Sequence, residues 1–334
     1  MKKFICLGML ALFLLTAGPA FALNPLYFYD WPGTGNLPAG YPSWLENTPE
    51  DKKSVSDAVK WELYTGYPDR TLKLTNNITR AEFAVALARS LDIGQEGGST
   101  WYAGRRDALL QAGIITSATG NWDAPISRGE MGQWMGRAAR QFSAGVKVSN
   151  VSYSDTTDPD IITAARAGVI AGYEDGTFRP GEKAQRVHAA LMLVRLVRGL
   201  NSAKPAVDSL DEIAQKAFIE EQEARKDWVT GKTGQLDFSA AKSYESETNL
   251  NWLKLVEEEY QKSNPDYGWA KDVENYSAKG VELHRTAAII KVSGKVQNYN
   301  KSGQAIYGAL PYEGYNYFVK RDGKWLLTHS EPLN

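Results

Sequence analysis

Gly172-Tyr173-Glu174-Asp175-Gly176-Thr177-Phe178-Arg179-Pro180 reads as a loop, and its first half has an upstream counterpart in Gly66-Tyr67-Pro68-Asp69-Arg70-Thr71. Both read G-Y-x-D-x-T, and in both an arginine follows the glycine by 14 residues, Arg80 and Arg186. A third copy lies between them. Ala112-Gly113-Ile114-Ile115 matches Ala167-Gly168-Val169-Ile170 and runs through Gly120-Asn121-Trp122 to Ser127-Arg128 on a shorter loop. Nine residues beyond Arg80, Arg128 and Arg186 stand Arg89, Arg137 and Arg195. Apolar residues fall between at helical spacing: Phe83, Val85, Ala86 and Leu87; Met131, Trp134 and Met135; Leu191, Met192 and Leu193. Each copy therefore reads as helix, turn-rich loop, helix, with leading helices expected over 55–64, 101–112 and 159–167. One such unit cannot bury its apolar stripe alone, whereas three packed together can. The spacing is unequal, 48 residues from Arg80 to Arg128 and 58 from Arg128 to Arg186, which predicts pseudo-symmetry with loop insertions.

The rest of the chain bounds what these repeats can serve. Its 334 residues leave room for about two domains. The 38 Lys and Arg nearly cancel 39 Asp and Glu, which argues against a phosphate-neutralising nucleic-acid binder. A 43% hydrophobic share argues against wholesale disorder. One cysteine, Cys6, excludes an intrachain disulfide, a cysteine zinc site and a Cys-x-x-Cys pair, and His188, His284 and His329 are the only histidines. Lys2-Lys3, the apolar run from Phe4 to Leu15, and Gly18-Pro19 before Ala20-Phe21-Ala22 read as a secretory signal peptide over 1–22. No later apolar stretch is long enough for a transmembrane helix, so no membrane association is expected after signal cleavage.

Ile78-Thr79-Arg80-Ala81-Glu82 behind Gly66-Tyr67-Pro68-Asp69, together with the Gly172–Pro180 loop, resembles the S-layer homology motif, whose usual number is three tandem copies. The resemblance implies a mostly α, three-repeat, pseudo-trimeric spindle around a central helical bundle; with the α+β part and its antiparallel sheet, read from the patterning of the tail itself, the chain is expected to be multidomain. The expected boundaries are a lead-in over 23–50, repeats over 51–200 (51–95, 101–142 and 151–200), a linker over 201–207 and a module over 208–334. The grooves between prongs would bind secondary cell-wall polysaccharide, pyruvylated forms included, or peptidoglycan. That makes the protein secreted and wall-bound at the bacterial cell surface, the S-layer. No cofactor, no metal and no nucleic-acid partner is expected.

Thr79-Arg80-Ala81-Glu82 and Ser127-Arg128-Gly129-Glu130 also have the form of capping boxes, which explains Thr79, Glu82, Ser127 and Glu130 structurally. The arginines are not required by capping, and a cation near a helix N-terminus is mildly disfavoured. They are read either as salt-bridge partners of Asp69 or Asp175, or as contacts to an acidic sugar, for which guanidinium supplies a rigid fork of donors. The candidate polysaccharide contacts are Arg80, Arg128, Arg186, Asp69, Asp175 and Trp122, with Trp61, Trp101 and Tyr173 as further aromatic candidates. The third copy, Ala184-Gln185-Arg186-Val187-His188, keeps the arginine and loses both capping side chains, so the first groove is the favoured one. Asp155, Asp158 and Asp160 read as a calcium loop or as a helix cap.

Beyond Pro205 the character changes. Leu210, Ile213, Ala214, Ala217 and Phe218 predict one amphipathic helix, and Leu253, Val256 and Tyr260 a second. Strands are expected over 287–299, 305–312, 315–320 and 324–329, broken at Ser293-Gly294 and Lys301-Ser302-Gly303, with Asp322-Gly323 as a hairpin turn. Glu257-Glu258-Glu259 reads as a solvated helix face. Helices followed by an antiparallel meander, closed by Asp322-Gly323-Lys324-Trp325, resemble NTF2-like domains, with cystatin-like relatives as the alternative. No G-x-S-x-G, H-E-x-x-H or P-loop is present, so no enzyme is assigned. The open alternative is an enzyme or small-molecule receptor with its site in the C-terminal pocket, where His284 beside Glu282 would be the acid–base group.

Overall fold

The computed structural model describes residues 49–63, 66–67, 69, 71–142, 150–200 and 204–333. The expected signal peptide, the lead-in up to residue 48 and the start of the linker lie outside the described residues. Eight α-helices come first among the described residues: α1 (Pro49–Lys60), α2 (Arg80–Leu91), α3 (Ala103–Gln111), α4 (Arg128–Phe142), α5 (Pro159–Arg166), α6 (Arg186–Gly199), α7 (Val207–Val229) and α8 (Glu247–Ser263). Four strands follow, β1 (Tyr267–Leu283), β2 (Ala287–Asn300), β3 (Ala305–Arg321) and β4 (Lys324–Pro332), in one antiparallel sheet of order β1-β2-β3-β4. The architecture is α+β.

The starts of α2, α4 and α6 meet one another. The first N–H groups of any helix lack intrahelical partners and must find others. Here they find them in a closed cycle of loops. Ile78 N–H donates to the Ala184 carbonyl (2.9 Å), Ala184 N–H to Ile126 (3.0 Å) and Ile126 N–H back to Ile78 (3.0 Å), all three residues fully buried. One layer out, Arg80 N–H donates to Ala124 (3.0 Å), Arg128 N–H to Glu182 (2.8 Å) and Arg186 N–H to Asn76 (2.9 Å). Side chains add to this at two starts: Thr79 Oγ1 accepts from Glu82 N–H while the Glu82 carboxylate accepts from Thr79 N–H, and Ser127 Oγ accepts from Glu130 N–H. Gln185 makes no such cap.

The short helices close a second cycle. α3 packs on α2, α5 on α4, and α1 returns to α6, so the first leading helix completes the bundle against the last long one. The α4–α5 contact is very close: a Cβ at Gly136 would stand 1.9 Å from the Asp160 carbonyl oxygen.

The sheet covers the other end of the long helices. On α2, the late carbonyls of Ser90 and Arg89 accept from Thr286 Oγ1 (2.7 Å) and the Arg321 guanidinium (3.1 Å). On α4, Phe142 lies under Arg285 at 5.1 Å. On α6, Arg198 pairs with Glu282 at 3.1 Å. Just past α1, Trp61, fully buried, donates Nε1–H to the Ala288 carbonyl at 3.2 Å. Alternation along a strand sends side chains to opposite faces. Ala287, Ile289, Tyr317 and Val319 join the same apolar cluster as Trp61 and the long helices. Ala288, Ile290, Val292 and Phe318 pack instead with Leu210, Ala214, Ala217 and Phe218 of α7.

Several expectations about this part are corrected. β3 is one strand where a break was expected between Tyr312 and Tyr315. Ser293-Gly294 sits inside β2, opposite Glu313 and Tyr312, and the glycine lets the Tyr312 ring pack over the strand, 3.0 Å from where a Cβ would stand. Pro311 is tolerated in β3 because β4 ends at Pro332 opposite Gly314, leaving position 311 beyond that ladder. β1 was not foreseen. Its pairing with β2 shifts register four times, and bulges erase the period-two signal. Glu257 is not solvated: it is buried against Arg225 of α7. Asp322 and Gly323 do form the tight β3–β4 turn, at φ +52° and +78°, with Arg321 paired to Lys324.

Candidate functional site

Arg80, Arg128 and Arg186 are the first residues of α2, α4 and α6. Each guanidinium lies over an aromatic ring of the next loop in the cycle: Arg80 over Trp122 (4.9 Å), Arg128 over Tyr173 (4.7 Å) and Arg186 over Tyr67 (4.5 Å). Such a stack offsets the unfavourable helix-terminus position of a cation.

The carboxylate partners follow the same cycle, with one exception. Arg80 pairs with Glu130 of the second copy at 2.7 Å. Arg186 pairs with Glu82 of the first copy at 2.8 Å, and the same oxygen accepts from Tyr67 OH at 2.7 Å. Burial pushes the Glu82 carboxyl up, but the Thr79 N–H and Arg186 outweigh it and hold the group below its ordinary value. Arg128 faces the third copy, where His188 takes the place of the glutamate. Its side chain is 3% exposed, its Nε donates to the Phe178 carbonyl (3.0 Å), and among the described residues it makes no ion pair. Burial lowers the Arg128 pKa. Burial, then the charge of Arg128, pushes His188 down to about 4, so it is neutral near pH 7.

A cavity of about 710 Å³ opens at this third position, lined among others by Arg128, Tyr173, Asp175, Arg179, His188 and Arg195. Its other two cations are matched: Arg179 to Asp175 (2.9 Å) and Arg195 to Asp51 (2.9 Å). The second face of Tyr173 is covered by Arg179, 3.9 Å from the ring centre.

The structure brings the three arginines into equivalent settings but does not pair them with the loop aspartates. Asp69 is exposed, accepts from Thr71 N–H (3.2 Å) and pairs with Lys73 (2.8 Å). Asp175 accepts from Thr177 N–H (3.0 Å), and these bonds with Arg179 hold its carboxyl at about 2. Trp122 is 4% exposed, with Nε1 donating to Ala118 and Tyr102 stacked on it at 5.7 Å, whereas Trp101 is 53% exposed. Asp155 accepts from Phe178 and Arg179 N–H, Asp158 caps α5, and Asp160 pairs with Arg137 and Arg140. His284 stands directly after β1. It lies edge-on to Trp61 (6.1 Å) and 3.3 Å from Glu282, in the contact with the helices, and its bond to Glu282 leads the causes that lower that carboxyl's pKa. Sequence reasoning passed over Tyr67 and the role of His188, although His188 stands three residues after Gln185, as Glu82 and Glu130 stand after Thr79 and Ser127.

A sequence model of the S-layer homology domain matches residues 153–190. The chain carries an S-layer homology domain. That S-layer homology segment contains Tyr173, Arg186 and His188, while Arg128 comes from the stretch before it. Among curated relatives, the chain is similar to "Cell surface glycoprotein 1" of Acetivibrio thermocellus, 27% identical over 50% of this chain and 8% of that protein. It is similar to "Exoglucanase XynX" of the same organism, 27% identical over 41% of this chain and 14% of the relative. It is also similar to an "Endoglucanase" of Bacillus sp., 26% identical over 43% of this chain and 17% of the relative. The chain thus matches only a small part of each of these relatives. No helix among the described residues is long and apolar enough to cross a membrane.

Proposed function

We propose that this is an exported cell-surface protein, held non-covalently on the bacterial wall by its repeats, with the C-terminal α+β module carried outward. On this reading residues 51–200 are three S-layer homology repeats forming a pseudo-trimeric spindle, and the cycle of loops at Ile78, Ile126 and Ala184 is its axis. The observation that carries the reading is one arginine at the start of each long helix, set over an aromatic ring at the seam with the next copy. A buried guanidinium beside a cavity suits the acidic groups of secondary cell-wall polysaccharide. The matched S-layer homology segment and the relative named as a cell-surface glycoprotein support the same surface location. Several modest contacts along a repeating polymer would add up to firm attachment.

The test is co-sedimentation of the purified chain with cell walls, before and after extraction of the secondary polysaccharide. Binding lost on extraction is the expected outcome. Undiminished binding to stripped walls would transfer the partner to peptidoglycan, and no binding to either would end the anchoring reading. The two relatives named as glucanases fit a second reading, in which repeats deliver an enzyme. Hydrolysis of a β-glucan by the purified chain would favour it.

A further inference from the structure

We propose that Glu245 and Glu221 share a proton across the seam between α7 and the edge of the sheet, and that loss of this proton releases residues 244–246 from β4. The device is a pH-operated clasp inside the C-terminal module, and it stands whether or not the repeats bind a wall.

β4 is an edge strand, and one short segment covers part of its open side. Glu245 bridges Leu327 in parallel: Leu327 N–H donates to the Tyr244 carbonyl (2.8 Å) and Ser246 N–H to the Leu327 carbonyl (3.0 Å). Ser246 then caps α8, its Oγ accepting from Asn249 N–H (3.1 Å) and donating to Glu62 just past α1. The segment therefore joins the sheet edge, the start of α8 and the helical body. Facing it is the buried stripe of α7, where Leu210, Ala214, Ala217 and Phe218 pack with Phe318 and Leu327. Glu221 continues that stripe at 0% exposure, and Glu245, 1% exposed, hydrogen-bonds to it. No N–H or O–H group of the described residues reaches either oxygen of Glu245, so this bond between two acceptors needs a proton of its own. Two carboxylates at such a distance and out of water cannot both ionise.

The charged groups on the packed elements are engaged elsewhere or add to the repulsion. On α7, Arg225 bonds to Glu257 of α8 and Lys216 to Glu212 (2.6 Å). At the end of α1, Lys60 pairs with Glu331 of β4 (2.6 Å), and Glu62 beyond it is a further acid. On β3, Arg321 donates to the carbonyls of Arg89, Trp61 and Glu62. On β4, His329 lies against the Tyr317 ring (5.3 Å). Burial first, then the charge and bond of Glu221 and the charge of Glu62, hold the Glu245 carboxyl well above its ordinary 4.5. Arg225 stands one turn along α7 from Glu221, so Glu221 is the better placed to carry the negative charge and Glu245 to keep the proton. The sign follows from the raised value: the clasp is fully closed below 4.5 and loosens as pH climbs toward the Glu245 midpoint. Its release leaves the β4 edge with open backbone groups around Leu327.

Two measurements on the full chain test this. Carbon-13 NMR of glutamate-labelled protein follows the carboxyls with pH, the two signals assigned by their loss in Glu221→Gln and Glu245→Gln. Glu245 should stay protonated well above pH 4.5, and in Glu221→Gln it should ionise at lower pH because the like charge is gone. The second is hydrogen exchange at the Leu327 amide, taken as the ratio of its opening constant in the parent to that in the Glu221→Gln, Glu245→Gln double variant, so that the intrinsic pH dependence of exchange cancels. The ratio should rise about tenfold per pH unit above 4.5 and level off once Glu245 has ionised. At Leu87, buried in α2, it should stay flat. Glu245→Gln alone serves for the ratio if the double variant does not fold, since it already removes the proton holder. Ionisation of Glu245 near 4.5, a flat ratio at Leu327, or an equal rise at Leu87, which would mean that the whole fold opens, each overturns the proposal.

Discussion

At the scale of the residue, an arginine at the first position of a helix is a local liability resolved at long range. Arg186 reaches Glu82 and Tyr67, more than a hundred positions earlier in the chain. Removing the acid strands a guanidinium that is 3% exposed. Glu82→Ala should therefore cost roughly 3 kcal/mol, the cost of breaking a buried pair, measured as a fall in the urea midpoint with unchanged slope. Glu130→Ala leaves Arg80 uncovered, but that arginine is 20% exposed, so a loss of about 1 kcal/mol is expected. Equal costs for the two would contradict the difference in burial. The arginines themselves were legible in the sequence, because a cation in a capping box is locally out of place. Their partners were not. The loop aspartates taken as candidate partners, Asp69 and Asp175, proved to be closing their own loops on Thr71 and Thr177, and pairs that join one copy to the next leave no trace within a local window.

At the scale of the element, the helices were readable and the sheet only in part. Helical stripes around Phe83, Met135 and Leu193 survive because each helix has one buried side. β2 is covered on both faces, so Ala287-Ala288-Ile289-Ile290 shows no alternation, and bulges break the pattern of β1. Neither feature announces itself from composition. The glycines of α4 were equally opaque. Gly136 looks like a weak point in a helix, and on propensity alone Gly136→Ala should stabilise by up to about 1 kcal/mol. The structure requires the opposite sign, since the added methyl meets the Asp160 carbonyl of α5 at 1.9 Å. The expected result is a loss of about 1–3 kcal/mol, with α5 displaced from α4, read by thermal unfolding and by amide exchange in residues 159–166.

At the scale of the whole molecule, the sequence suggested two bodies and a linker, and what it could not display is the shared interior around Trp61. Glu62 lies at that seam, accepting from Ser246 Oγ at 2.5 Å, and burial, only partly opposed by Ser246 and Arg321, pushes its carboxyl up to about 6. A raised acid is protonated in the fold, so its stability is complete below about 4.5 and declines as pH climbs through 6. His188, depressed to about 4, slopes the other way over the same interval. The informative comparison is thus Glu62→Gln against the parent: the difference in unfolding free energy should grow by about 2 kcal/mol in favour of the variant between pH 4 and pH 7. A constant difference would mean that Glu62 titrates normally. The helices also decide how load is carried. α2, α4 and α6 all begin at the loop cycle and all end under the sheet, and the 12 residues of α2 span about 18 Å. A pull on the C-terminal sheet is therefore divided among three struts that start at the same end. Among the described residues the sheet is tied to all three helix ends at once, by Thr286 and Arg321 to α2, Arg285 to α4 and Glu282 to α6, so a shift of the sheet on one helix must be carried by the other two.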